Sequence, residues 1–344
     1  MICYSKHNKK GIRTRTMGLF NLFKKKQAAP VEHPKSPNVA SQSHGHVTWT
    51  DIQNPSRSVL RDFAEKHALH AVHVDLALND GQIAQLSEEG DYVFLLLYIP
   101  YFIPEENKIA TSQVSMFLGK DYLLTTHASH VPSIRTLFEQ YANTATSDTK
   151  TPGRILFHLI NTLLEDIKHL TENISLELDS IEDKVFDSEI SDAKQIGQMR
   201  QMIIRLRRTL ATQRSVLGEL DKIIDKFTGE HLHRYYGSNT NTSNRLWETL
   251  EEARETVEIY KDVDFTTSTE RTNDILAILT IFFTLAIPAT LFGTFYGMNV
   301  PLPGGIEAGP WTFFGEYTTL AVIIAASVTP AIIMWIWFKK KKWF

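Results

Sequence analysis

The chain has 344 residues, 43% of them hydrophobic, and a formal net charge of −3. That length holds one large domain or two ordinary ones. Cys3 is the only cysteine, which excludes an intrachain disulfide and any CxxC-type zinc site. The motifs GxSxG, GxxxxGK[ST], GxGxxG and HExxH are all absent, so the common hydrolase, nucleotide-binding and metalloprotease signatures give no support for an enzyme. The small net charge hides strong segregation. Residues 1–45 carry nine Lys or Arg against Glu32 alone, a balance of +8, and Lys339 to Lys342 add four more. Taking that +8 and that +4 from the net −3 leaves −15 on the remainder of the chain. An acidic body raises the local concentration of cations, although ordinary solubility charge is the plainer account of the number.

Residues 1–45 are expected to be a disordered basic tail, rich in Lys, Ser, Pro and Gln. Within it, Met17-Gly-Leu-Phe-Asn-Leu-Phe-Lys-Lys-Lys reads either as an amphipathic stretch for an anionic membrane surface or as the true start of translation. The first thirty residues lack the long apolar core and cleavage site of a secretory signal peptide.

Residues 46–150 read as an α/β domain. Ser56 is placed to cap a helix over Val59 to His67. Tyr92 to Phe102 is a continuous apolar run rich in aromatics, which predicts a buried strand. Lys108 to Leu118 and Asp121 to Thr126 predict two more strands around the turn residues Gly119-Lys120-Asp121, and Ser133 to Asn143 predicts a helix. From 151 to 272 the pattern changes to long amphipathic helices. Apolar residues recur at spacings of three and four in Ile155, Leu159, Leu163, Ile167, Leu170 and Ile174, and again in Met202, Ile203, Leu206 and Leu210. Gly229 and the run Gly237-Ser-Asn-Thr-Asn-Thr-Ser predict a turn before a last helix starting near Asn244.

Two membrane spans follow. Ile275 to Tyr296 is 22 residues without a charge, and Thr318 to Phe338 is 21 more. At about 1.5 Å per residue each covers roughly 30 Å, the hydrocarbon thickness of a bilayer. No Lys or Arg lies between Arg271 and Lys339, and a lysine cluster follows the second span at once. The positive-inside rule then places both termini in the cytoplasm and the loop 300–317 outside. Trp311, Tyr317, Trp335, Trp337 and Trp343 suit interfacial positions.

The first span is unusually polar for a helix facing lipid. Helical spacing aligns Asn273, Leu276, Thr280, Thr284, Ile287, Leu291 and Thr294, with Thr290 and Pro288 nearby. Around an axis shared by several copies, such a stripe lines a pore in which apolar rings gate by dewetting and polar rings meet hydrated ions. The same threonines could instead satisfy backbone freed by Pro288 or join helices together.

Tyr296-Gly297-Met298-Asn299, the short acidic loop, the second span and the terminal Phe338-Lys-Lys-Lys-Lys-Trp343 together resemble the CorA family of magnesium/cobalt transport proteins. The resemblance implies an α+β cytoplasmic domain (46–150) joined by long stalk helices (151–272) to a pore-lining first span (273–299). An external loop (300–317), a second span (318–338) and a basic cytoplasmic end (339–344) complete the order. It implies a funnel-shaped homopentamer in the inner or plasma membrane that passes Mg2+, and also Co2+ and Ni2+. Its implied partners are its own copies, the lipid bilayer and divalent cations, with no organic cofactor and no nucleic acid.

The resemblance assigns Tyr296, Gly297, Met298 and Asn299 to an entrance filter. Mg2+ gives up its water reluctantly, so neutral amide and carbonyl oxygens that accept hydrogen bonds from its waters suit it better than carboxylates. Thr290, Thr294 and Asn273 become polar rings below the filter. Leu276, Leu279 and Ile287 match the family's hydrophobic gate, with Thr280, Phe283 and Thr284 open as neighbours because the stripe drifts by one position. Glu307 and Glu316 are candidates to draw cations to the mouth or plain loop acids.

The family closes when cytoplasmic Mg2+ bridges carboxylates of adjacent subunits. Asp262, eleven residues before Asn273, matches one of them. The partner's usual His-Pro-Leu-x-x-Glu-Asp segment corresponds here to His70-Ala-Val-His-Val-Asp75-Leu76, without the proline and the second acid. Asp75 either serves alone or the sensor is rebuilt. A zinc-transporting member of the same family, and a membrane-anchored coiled-coil protein, are the alternatives. The scattered histidine pairs read as surface or core residues, not zinc ligands.

Overall fold

A computed structural model describes residues 37–127, 131–143, 151–185, 193–298, 300–305, 309–315 and 317–341. The Met17 patch, Asn299, Glu307, Glu316 and Trp343 lie outside the described residues. The chain divides into two compact units, one ending at Val263 and the other beginning at Asp264.

The first unit is built on a six-stranded sheet in the order β1-β2-β6-β5-β4-β3. Its strands are β1 (Asn38–His44), β2 (Val47–Gln53), β3 (Gln85–Glu89), β4 (Tyr92–Ile103), β5 (Lys108–Gly119) and β6 (Tyr122–His127). Every neighbouring pair is antiparallel except β2 and β6, which run parallel. The apolar run of β4 is continuous because both faces of the sheet are covered. Val93, Leu95, Leu97 and Ile99 enter one core and Tyr92, Phe94 and Leu96 the other, as side chains of period two require.

Helices α1 (Arg57–His67) and α2 (Ala71–Leu78) close the second face, and the Ser56 hydroxyl caps α1 by accepting from Val59 N. The first face packs against α3 (Pro132–Asn143), α4 (Pro152–Val185) and α5 (Ala193–Thr228). On α4, Ile155, Leu159, Leu163, Ile167, Leu170 and Ile174 are all buried, as are Met202, Ile203, Leu206 and Leu210 on α5. The amphipathic spacing therefore marks the packed stripe of each helix.

Two sequence expectations change. Residues 38–44, assigned to the tail, form the edge strand β1, paired to β2 from Asn38 opposite Gln53 to His44 opposite Val47. The run Gly237 to Ser243 is no turn. It lies inside α6, one helix of 65 residues from His233 to Gly297. The turn stands earlier, at Gly229 (φ +70°), where Asp225 Oδ1 accepts from Leu232 N and His233 N, both at 2.7 Å. Neighbouring helices override the weak helix propensity of the polar run. Tyr236 Oη donates to Gly153 O (2.7 Å) and Asn239 Nδ2 to Phe157 O (3.4 Å), and Asn239 and Ser243 are buried.

The second unit holds the remainder of α6, the connecting loop and α7 (Thr318–Lys340). Both helices are long and apolar enough to cross a membrane, and their apolar windows are almost wholly exposed.

Candidate ion path and regulatory acids

Along the second half of α6, the side chains of Asn273, Leu276, Leu279, Thr280, Phe283, Ile287, Thr290, Leu291 and Thr294 are exposed, and Thr284 is half-buried. Phe283, Ile287, Thr290, Leu291 and Thr294 share one face, which is hollowed into an open groove of about 310 Å3 together with Ala286 and Phe295.

Three hydroxyls along this stretch of α6 are already engaged. Thr280 Oγ1 donates to Leu276 O (2.7 Å), Thr284 Oγ1 to Thr280 O (2.6 Å) and Thr290 Oγ1 to Ala286 O (3.0 Å). Pro288 removes the helical donor to Thr284 O, and none of these three bonds ends on that carbonyl. Repair of the proline site is therefore not what these threonines do, and their bonds are the ordinary back-bonds of hydroxyls one turn along a helix.

Helix α6 ends at Gly297, and Met298 N donates to Phe295 O at 3.2 Å. A Cβ on Gly297 would meet open space among the described residues. Tyr296 Oη donates to Pro303 O (3.1 Å), across the segment that carries Asn299. Trp311, read from sequence as an interfacial aromatic, is half-buried with its ring against Gly304. At the other end of α7, Lys339 Nζ stands 5.3 Å from the centre of the Trp335 ring.

The two candidate regulatory acids belong to the first unit. Asp262 is 76% exposed, with Lys261 Nζ at 3.4 Å. Asp75, on α2, is 53% exposed and accepts from Arg57 Nη2 of α1 at 2.7 Å. Among the described residues no three His, Cys, Asp or Glu gather in a metal-binding group. A site shared between neighbouring copies needs no such group within one chain.

Several histidines hold the fold. His73 Nδ1 pairs with Tyr92 Oη at 2.6 Å and its ring stacks on Phe94 at 4.6 Å. Burial holds its pKa below the ordinary value, chiefly because a charged imidazolium would lose water there. His67, against Tyr122, is lowered for the same reason, with Lys66 adding to the effect. His127 Nε2 lies 3.2 Å from Asp51 Oδ2 between the parallel strands β2 and β6. Burial raises the Asp166 carboxyl, against an opposing hydrogen bond from Ser133.

Residues 44–340 match the family model described as CorA-like Mg2+ transporter protein. The chain belongs to the CorA family. The CorA family is one of transporters, so the sequence's want of enzyme signatures agrees with it. A CorA relative, the cobalt/magnesium transport protein of Thermotoga maritima, is 25% identical over 299 residues, covering 86% of this chain and 83% of its own. The structure of the CorA magnesium transporter from Methanocaldococcus jannaschii superposes with a TM-score of 0.73 at 20% identity, over 89% of this chain and 94% of that one. The full-length CmaX protein gives 0.69 at 20% identity, over 86% and 89%. These likenesses bear out the fold read from the sequence, a soluble α/β domain and two apolar helices.

Two elements of the site escaped the sequence reading. Nothing at Arg57 marked it as the partner of Asp75. The pair Gly304-Gly305 ahead of a tryptophan was the one signal for the Trp311 contact.

Proposed function

We propose that this chain assembles as a homopentamer whose first span surrounds a water-filled axis and conducts divalent cations, Mg2+ foremost. The observation that carries the reading is the exposed face of α6, where Asn273, Leu276, Leu279, Thr280, Phe283, Thr284, Ile287, Thr290, Leu291 and Thr294 alternate polar and apolar side chains and lead to Tyr296-Gly297-Met298-Asn299. A helix with such a face is poorly matched to lipid on all sides.

In this assembly Gly297 and Asn299 receive a hydrated ion through its own water, and Leu276, Leu279 and Ile287 form the apolar gate. Glu307 and Glu316 raise the cation concentration at the mouth. Both termini are cytoplasmic, in keeping with the lysines after the second span. Mg2+ bound between Asp262 of one copy and Asp75 of its neighbour favours the closed state. Names of relatives support the choice of ion, since the Thermotoga maritima protein is called a cobalt/magnesium transport protein.

The test is flux into liposomes holding the purified protein, with Mg2+, Co2+, Ni2+ and Zn2+ compared under equal gradients. Mg2+ uptake is expected to be retained in the parent. Asn299→Ala is expected to abolish it while cross-linking still yields pentamers. Unchanged uptake in that variant removes Asn299 from the filter, and preferred Zn2+ flux moves the chain to the zinc-transporting branch.

A further inference from the structure

The loop after α6 is tied down by two side-chain hydrogen bonds, a backbone turn and a ring packed on a glycine. Tyr296 Oη donates to Pro303 O at 3.1 Å, closing the segment 297–302 into a ring of backbone and side chain. Gly305 N donates to Leu302 O at 2.8 Å, a turn immediately after that segment. Gly304 then adopts φ +75°, where L side chains are strained. A Cβ on Gly304 would lie 2.8 Å from Trp311 Cδ2 and 2.9 Å from Cε2, closer than carbon atoms approach. Glycine is thus required there twice over, once for the turn and once for the indole ring. Trp311 is itself pinned, because its backbone N donates to Thr319 Oγ1 in the first turn of α7 at 2.9 Å. Elsewhere the loop presents large apolar groups outward, with Phe314 95% exposed.

These contacts form a connected path from the last turn of α6 to the first turn of α7: Tyr296, Pro303, Gly304, Trp311, Thr319. Asn299 lies between the first two in sequence. We propose that Trp311 is a positioning residue for cation selection, acting through Gly304 and Pro303 on Tyr296 to steady the end of α6 at Gly297 and Met298, which leads into Asn299. The inference rests on the assignment of that segment as the filter. A filter that grips an ion through its water shell depends on acceptor spacing, and preorganised supports hold such groups to within about 0.5 Å. Loosening the loop therefore weakens cation capture before it slows passage.

The experiment measures initial uptake into liposomes against external Mg2+ concentration for the full chain. Trp311→Ala is expected to raise the half-saturating concentration about five- to tenfold, within the range that one residue of a packed path carries, with maximal rate within twofold. Gly304→Ala is expected to do the same by driving the ring away. Tyr296→Phe, which removes a single oxygen and keeps the ring, is expected to raise half-saturation to a similar degree. Trp311→Phe is expected to recover most of the parent value. Combining Tyr296→Phe with Trp311→Ala is expected to give less than the product of the single effects, as members of one path do.

Half-saturation unchanged in both Trp311→Ala and Tyr296→Phe overturns the proposal. So does a fall in maximal rate at constant half-saturation, which is the signature of lost protein. Asn299→Ala in the same assay separates the two readings. If Asn299→Ala loses uptake while the Trp311 variants are normal, the positioning role fails alone. If Asn299→Ala is normal, the filter assignment fails as well.

Discussion

The two units of this chain treat the same kind of side chain in opposite ways. In the first, Phe94 is fully buried in the sheet, stacked on His73 and tilted against Phe117. In the second, Phe283 is 61% exposed, in company with Leu276, Ile278 and Ile287. One unit buries a large apolar core within a single chain. The other has contacts left to make with lipid and, in the proposed assembly, with other copies of itself. The core of the first unit can be read one chain at a time, and the exposed faces of the second cannot.

The widest break in that comparison comes from truncating the same residue type in each unit. Phe94→Ala should cost about 3–5 kcal/mol and lower the thermal unfolding temperature of the first unit, read by circular dichroism. Phe283→Ala should change it by no more than about 0.5 kcal/mol. Equal losses would mean that Phe283 is packed after all. A sharper test follows at the proposed gate. Leu279→Asn, a polar amide on an apolar ring, should raise Mg2+ flux several-fold when internal Mg2+ is high, because a wetted ring no longer closes by dewetting. An unaltered closed-state leak would take Leu279 out of the gate.

A smaller effect is expected from pH. Burial lowers the folded-state pKa of His73 below 6.5, so the unfolded chain takes up the proton first as pH falls. The stability of the neutral form is fully present above pH 6.5 and is lost as pH falls from there through the depressed value. The unfolding temperature should drop from pH 7 to pH 5, and His73→Phe should flatten the slope. The smallest structural effect is that of Asp75→Asn. Its partner Arg57 is as exposed as a surface pair usually is, so the loss should stay under about 1 kcal/mol. If Asp75 senses Mg2+, however, the internal concentration that halves flux should rise. An unshifted inhibition curve would leave the Arg57 pair as its whole role.

The sequence was most legible where one physical pattern dominated. The β4 run and the α4 and α5 stripes were plain because burial on fixed faces demands apolar residues at fixed spacing. Strand β1 was not, since Asn38 to His44 is an edge strand of mostly polar residues with one face toward solvent. The Gly237 to Ser243 run was misread because its composition favours a turn, while the carbonyls of Gly153 and Phe157 that anchor it lie more than eighty residues away. At the candidate ion path, the motif and the stripe stood out by type and spacing. The Gly304–Trp311 contact did not, because a positive φ and a ring approach are properties of the folded loop.

The hydroxyls of Thr280, Thr284 and Thr290 each spend their hydrogen on a carbonyl one turn back. What they turn outward is lone pairs alone. Water around a cation points its hydrogens away from the ion. Rings of such threonines would accept those hydrogens, so the channel proposed here could hold a hydrated cation along its length without placing a single charge in the membrane.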